Sequence, residues 1–266
     1  MTTPKKKPKW AIEKDRRRRA EPERFWLFGI HAVRDALENP ARVRHRLIVT
    51  PNAEHKLVDA IRMAGIVPEV SDPRRFSAPL DPQSVHQGAA MEVDPLEWGD
   101  LQGLARPHKA DPLPLMVALD RVTDPHNVGA VLRSAEVFGA RAVIAPLHHS
   151  APETGALAKT ASGSLERQPY LKVRNLADAL ETLVGLGYAV IGLASEAEQD
   201  LDTALAASEG SAICMVMGAE GPGLREKTRQ TCTFLARIKA SGSFGSLNVS
   251  NAAAVALYAA RQKITS

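Results

Sequence analysis

The chain is poor in cysteine, in aromatic side chains and in long apolar runs, and each shortage closes off a class of protein. Only Cys214 and Cys232 occur among 266 residues. Both lie in or beside apolar, strand-like runs, which points to buried thiols in a reducing, cytoplasmic compartment rather than to a disulfide. The eight His show no zinc-like pairing with Cys, and His148 and His149 are adjacent rather than a helical turn apart, so no metal is expected. No stretch approaches the roughly 18 apolar residues of a membrane helix. The positively charged N-terminus has no apolar segment behind it, so a secretory signal is not expected either. Aromatics make up 5% of the chain, and the cores must therefore be aliphatic and Ala-rich. The dinucleotide fingerprint G-x-G-x-x-G is also missing from the turn after the first strand of the second half. That absence disfavours an ordinary Rossmann dehydrogenase or methyltransferase.

What is present begins with an uneven charge. Residues 1–24 hold ten Lys and Arg against four Asp and Glu, a net charge of +6, which leaves −2 for the rest of the chain. The high overall pI thus describes a basic, disordered arm and not a basic globule. An arm of this kind suits nucleic acid, where each cation neutralises a phosphate and releases counterions. A solvated tail with no partner has the same composition.

Beyond the arm two patterns follow. Residues 25–94 read as a small α/β unit. Ile30, Val33, Ala36 and Leu37 recur at helical spacing until Asn39-Pro40, and Leu47–Val49 forms a strand. A helix spans Glu54–Ala64, a short strand Ile66–Val70 and a further strand Val85–Val93. Residues 95–113, with five Pro and Gly residues among few apolar ones, read as a linker. From 114 to 266, apolar runs at Leu115–Leu119, Ala142–Ala145, Ala189–Ala194, Ile213–Met217 and Phe234–Ile238 alternate with helix-like segments. Continuous apolar strands of that sort indicate a parallel sheet covered on both faces, with ligands at the carboxyl ends of the strands.

Three segments carry polar groups at those ends. In Asp124-Pro125-His126-Asn127-Val128-Gly129, Asn127 stands where a helix begins and reads as its N-cap. Arg133, six positions on, is read as returning to nearly the same face. It is either paired with Glu136 or presented as a guanidinium toward a phosphate or a reacting hydroxyl. Gly218-Ala219-Glu220-Gly221-Pro222-Gly223 is a glycine-rich turn. Its carboxylate would repel an anion and lacks the Lys-Ser/Thr of a Walker loop, so a neutral or cationic ligand fits better. The third segment, Ser246-Leu247-Asn248-Val249-Ser250, lies between Gly242 and Gly245 and an Ala-rich helix, and its hydroxyls and amides sit where that helix opens.

In this order, the three segments resemble the motifs of the SpoU-type ribose 2′-O-methyltransferases of the SPOUT superfamily, over roughly residues 113–262. Phe28-Gly29-Ile30-His31-Ala32-Val33 and His86-Gln87-Gly88 are similar to that family's small ribosomal-protein-like substrate-binding domain. The resemblance implies an α/β fold in which the parallel sheet ends in a C-terminal trefoil knot. It also implies S-adenosylmethionine as methyl donor, held by backbone of Gly218, Ile238 and Leu247, and a homodimer that completes the RNA site. Arg133 would assist deprotonation of a ribose 2′-hydroxyl positioned by Asn127, Glu220, Ser246 and Asn248. Lys239 and Ala240 stand where the family usually has Pro and Met, a departure expected to loosen the adenosine pocket. The substrate implied is structured RNA, with the two-domain layout leaning toward guanosine in 23S rRNA. The alternatives are a tRNA substrate, or a catalytically silent RNA-binding or ribosome-assembly factor.

Overall fold

Two sheets divide the chain. The computed structural model describes residues 24–240 and 247–265. Nearly all of the basic arm, and Gly242, Gly245 and Ser246 of the third motif, lie outside the described residues.

The first sheet has four strands in the order β1-β4-β2-β3. These are β1 (Phe25–Phe28), β2 (Arg44–Val49), β3 (Glu69–Val70) and β4 (Ala89–Val93), joined through α1 (Ile30–Glu38) and α2 (Pro51–Ala64). β4 lies antiparallel to both β1 and β2, whereas β2 and β3 run parallel. The sequence reading differs at three points. FWLF is a strand of its own, Ile66 to Pro68 stay outside β3, and Val85–Gly88 stay outside β4, with a turn at Gln87-Gly88. Gln87 and Gly88 in that turn have positive φ, which ends pairing there.

The second sheet has seven strands, all parallel, in the order β7-β6-β5-β10-β8-β11-β9. The five apolar runs are β5 (Leu115–Asp120), β6 (Val143–Pro146), β8 (Tyr188–Leu193), β10 (Ala212–Gly218) and β11 (Phe234–Arg237). Two short edge strands, β7 (Tyr170–Val173) and β9 (Gln199–Asp200), add to them. Their polar residues and brevity hide them from a search for apolar runs. Alternate side chains of β5 serve opposite layers. Leu115, Val117 and Leu119 pack with α4 (Pro125–Val137), α5 (Gly155–Ala161), α7 (Leu201–Ala207) and α9 (Val249–Thr265). Met116 and Ala118 pack with α6 (Leu176–Gly185). A last helix, α8 (Glu226–Thr231), follows the glycine-rich turn. Strand order reverses at β5–β10, and such switch points are where parallel sheets open toward ligands.

The segment read as a linker is partly built into the second layer. Asp100 caps a short helix, α3 (Leu101–Ala105), by accepting from Gly103 N at 2.7 Å, and Ala105 is fully buried. The Ala105 carbonyl accepts from Tyr188 Oη at 2.7 Å.

The two sheets are joined by a buried ion pair. Arg42 donates through Nε to Glu166 Oε2 at 3.0 Å and through Nη2 to Oε1 at 2.7 Å, and the two side chains are only 0% and 3% exposed. Gly155 makes the close approach possible, since a Cβ there would stand 2.3 Å from the Phe28 ring. C-terminal to the third motif, α9 returns across α4, and Arg261 donates from Nε to the Phe138 carbonyl at 2.7 Å. Residues 241–246, which join β11 to α9 and on which the expected trefoil knot depends, lie outside the described residues.

Candidate active site

Strand β5 ends on Asp120, and Gly218 at the end of β10 is its partner in register. The chain leaves each strand at the same edge of the sheet, so the first two motifs start side by side. Asp120 is fully buried and accepts from Arg225 twice, from the backbone N at 2.9 Å and from Nε at 2.6 Å. This pair closes the glycine-rich turn. Within the turn, Gly221 and Gly223 have positive φ. A Cβ on Gly218 would lie 2.2 Å from the Gly223 carbonyl carbon, so the turn folds back on itself only if position 218 has no side chain.

Three polar residues from far apart in the chain meet above that turn. Asn248 Nδ2 donates to Glu220 Oε1 at 2.6 Å and to Asn127 Oδ1 at 3.0 Å, and Asn127 Nδ2 donates to the same Glu220 oxygen at 3.2 Å. The Asn248 Oδ1 in turn accepts from Ser250 N at 2.9 Å and Ser250 Oγ at 2.6 Å, which caps α9. Each amide is thereby held in one orientation, and Glu220 Oε2 has no partner among the described residues. Glu220 and Asn248 are exposed, so the cluster faces solvent rather than the core.

Two readings of motif one change. The cap of α4 is Asp124, whose side chain accepts from His126 N at 3.1 Å, and Asn127 stands inside the first turn, free to reach Glu220. Arg133 is exposed and has no hydrogen bond or ion pair among the described residues, while Glu136 is taken by Arg167. The physical reason is angular. Six residues at about 100° each leave Arg133 roughly 120° around the helix from Asn127. It shares a face with Val137, four residues on, which is 70% exposed. Gly129 serves packing, since a Cβ there would stand 2.8 Å from the Leu157 carbonyl of α5.

Residues 114–258 match the SpoU rRNA Methylase family, and residues 26–99 match the RNA 2′-O ribose methyltransferase substrate-binding family. The chain belongs to the SpoU rRNA methylase family. It is 39% identical over 242 residues to the 23S rRNA (guanosine-2′-O-)-methyltransferase RlmB of Pseudomonas putida, covering 89% of this chain and 96% of that one. Against the protein of the same name from Ralstonia nicotianae it is 40% identical over 249 residues, with 89% and 95% covered. The fold is that of the SpoU methyltransferase AviRb from Streptomyces viridochromogenes in complex with AdoMet. There the TM-score is 0.76 at 23% identity, over 95% of this chain and 94% of that one.

For a SpoU fold the remaining question is whether the residues at this edge suit the nucleoside cofactor that the family implies. Gly218 and Ile238 both leave carboxyl ends of strands, β10 and β11, with β8 between them. Leu247, 49% exposed, immediately precedes the Asn248 that touches Glu220. Glycine backbone, two aliphatic side chains and a nearby carboxylate suit an adenosine carrying a sulfonium cation better than they suit a phosphate. Lys239 and Ala240 are both exposed beside Ile238. Among the described residues no group of three or more His, Cys, Asp or Glu could hold a metal ion, and no helix is long and apolar enough to cross a membrane. Sequence reasoning missed the Asp120–Arg225 pair. The available signal was a lone carboxylate closing an otherwise apolar strand.

Proposed function

We propose that the chain is an S-adenosylmethionine-dependent methyltransferase that modifies the 2′-hydroxyl of a guanosine ribose in 23S rRNA. The observation that carries this reading is the Asn127–Glu220–Asn248 cluster at the β5–β10 switch point, in a chain of the SpoU family. Its RlmB relatives, at 39% and 40% identity, are named for that reaction. A ribosomal RNA substrate supports a cytoplasmic location.

Gly218, Ile238 and Leu247 would hold the cofactor, which when bound supplies an electrophilic methyl group on a sulfonium. The rest is orientation by the chain's own groups. Both Asn amides hold the Glu220 carboxylate through Oε1, which leaves Oε2 without a partner among the described residues. A ribose hydroxyl donating to Oε2 presents an oxygen lone pair for the new O–CH3 bond, and its proton has an acceptor as the O–H bond breaks. Ser246 adds a hydroxyl to the same motif. Arg133, on the Val137 face rather than beside this chain's Glu220, would hold the phosphate next to a ribose bound by a second copy and steady the developing alkoxide there.

A homodimer completes this arrangement. Val137 of α4 and Val255 and Tyr258 of α9 are 70%, 45% and 55% exposed, and Tyr258 meets Phe138 edge-on at 6.0 Å. An apolar face of that kind on two adjacent helices suits a second copy, and Arg133 lies on its margin. Light scattering would find a dimer in the wild-type protein and a monomer after Tyr258→Glu.

The test of the activity is transfer of labelled methyl groups to unmodified 23S rRNA transcript, followed by mapping of the 2′-O-methyl position. Transfer to a single guanosine is expected. Absence of transfer, or transfer to a base, would overturn the reading.

A further inference from the structure

A second feature of the same sheet edge has no part in the chemistry above. At the carboxyl ends of β6 and β7 lies a cleft of about 850 Å³, bounded by Pro146, His148 and His149 on one side and by Arg174 and the start of α6 on another. Arg225 and Lys227, from the chain just after the glycine-rich turn, form the third wall. Three cationic side chains thus face one carboxylate, Asp178, with two imidazoles beside them.

The cations are not equally free. Lys227 is 3.2 Å from Asp178, and Arg225 spends Nε on Asp120. Arg174, His148 and His149 are exposed and have no partner among the described residues. Among the described residues nothing engages the Arg174 guanidinium.

The cleft is built rather than a chance depression. Its β6 loop is fastened by Lys172, whose Nζ donates to Ser150 Oγ and to the Ala151 carbonyl, both at 2.6 Å. Leu147 N donates to the Val173 carbonyl at 2.7 Å. His149 is held in the left-handed region at φ 61°. That conformation is uncommon for a side-chain-bearing residue, and here it turns adjacent imidazoles toward one opening.

Its place relative to the site follows from the sheet. β7 is two strands from β5, about 10 Å at the usual strand spacing. Arg225 bridges the two, because it grips Asp120, the register partner of Gly218, two residues before Glu220. An RNA strand with its target ribose at Glu220 reaches this cleft within a few nucleotides. No Phe, Tyr or Trp lines the cleft, which leaves only the two imidazoles for stacking, and no glycine-rich cradle encloses a free nucleotide's phosphates. What an open, cationic cleft recognises is the charge of a backbone, the kind of contact that positions a nucleic acid without reading its sequence.

We propose that this cleft holds the phosphodiester backbone of the substrate RNA beside the target nucleotide, with Arg174 as its principal phosphate contact. The inference rests on the RNA reading above, and its test separates the two. Full-length wild-type, Arg174→Ala and Arg174→Lys proteins are titrated with unmodified 23S rRNA transcript across a salt series. Methyl transfer is measured in parallel, and S-adenosylmethionine binding by calorimetry. Arg174→Ala should weaken RNA binding about tenfold and reduce the salt slope by roughly one phosphate contact. KM for RNA should rise with kcat within about twofold, because the contact positions the strand without joining the reaction. Cofactor affinity should be unchanged, and Arg174→Lys should restore most of the binding. Unchanged affinity and slope in Arg174→Ala, beside a wild type that binds RNA, would overturn the cleft assignment. A wild type that binds RNA with the expected Arg174 dependence but transfers no methyl group would overturn only the activity, and one that binds no RNA would overturn both.

Discussion

Two polar clusters in this molecule are built from the same kinds of residue and are put to opposite uses. At the sheet edge, Glu220 accepts from Asn127 and Asn248 in the open. At the junction of the two sheets, Glu166 accepts from Asn39 and Arg42 out of reach of water. Each draws together segments distant in the chain, 28 to 121 residues apart at the sheet edge and 124 to 127 at the junction. An exposed hydrogen bond competes with water and adds little to stability, so a cluster kept there is kept for what it presents. A buried ion pair fixes geometry, and losing one partner leaves a charge stranded. On the proposed function, the comparison separates a cluster that would act on a substrate from one that fastens the small sheet to the large one.

The largest effect expected from that contrast is at the junction. Glu166→Ala strands Arg42 and should cost about 3–5 kcal/mol of stability, read as a drop in the denaturant midpoint. Methyl transfer per folded molecule should change far less. Next comes Glu220→Gln, which keeps shape but removes the proton acceptor. It should lower kcat by about 10²–10³ while the melting temperature stays within a degree or two. Equal damage to folding and rate from either change would dissolve the distinction.

A third effect concerns pH, and it arises beside the buried pair. Burial holds the Glu153 carboxyl up at about 7, against the attraction of Arg42 and Lys172 and with Glu166 adding to the rise. Its Oε2 has no hydrogen-bond partner among the described residues. Burial also pulls the Lys172 ammonium down to about 8. A carboxyl whose folded pKa is raised contributes stability that is fully present below its unfolded value and lost as pH climbs through 7. Glu153→Gln should therefore match the wild type near pH 5 and become the more stable protein by pH 8. The gain is up to about 3 kcal/mol at 1.36 kcal/mol per pKa unit. Lys172 runs the other way, its burden easing only as pH rises past 8. Melting curves at pH 5, 6.5 and 8 read the sign directly, and a gap that shrinks with pH would contradict it.

How far these clusters could be read in the sequence differs for reasons of physics. The apolar strands β5, β6, β8, β10 and β11 announce themselves because both faces are buried and the runs are unbroken. β7 and β9 do not, since an edge strand such as YLKV needs no continuous apolar run. The Asn127, Glu220 and Asn248 motifs stand out by their density of small and polar residues at strand ends. That they share one site is implied by resemblance and not by spacing, and their mutual hydrogen bonds by neither, because contacts across some 30 to 120 residues leave no local mark. Asn127 was misread as a cap because Asp124, three residues earlier, has the same preference for that position. Arg42 and Glu166 were invisible for the same reason as the motif contacts. Nothing in their local sequence marks either as buried, and charged residues are rarely fully buried unless paired.

The smallest effect is the sharpest comparison, because it uses one residue type in both places. Asn39 donates to the Glu166 carbonyl at 3.1 Å and to its Oε2 at 3.0 Å, and its Oδ1 also accepts from Ala41 N at 3.0 Å. Asn127 makes the analogous bond to Glu220 in the open. Replacing either by Ala removes an amide of the same size facing a carboxylate. At position 39 the lost partner of a buried charge should cost about 1–2 kcal/mol of stability, with kcat unaltered at equal folded fraction. At position 127 stability should shift by less than about 0.5 kcal/mol. The rate should fall about tenfold there, since Glu220 and Asn248 keep each other but lose the third support of the carboxylate's orientation. Chemical denaturation and initial methyl-transfer rates, measured on both variants from one preparation, give the four numbers needed. If Asn127→Ala loses stability and keeps its rate, the exposed cluster is a brace like the buried one, and the part assigned to presenting the ribose belongs elsewhere on the sheet edge.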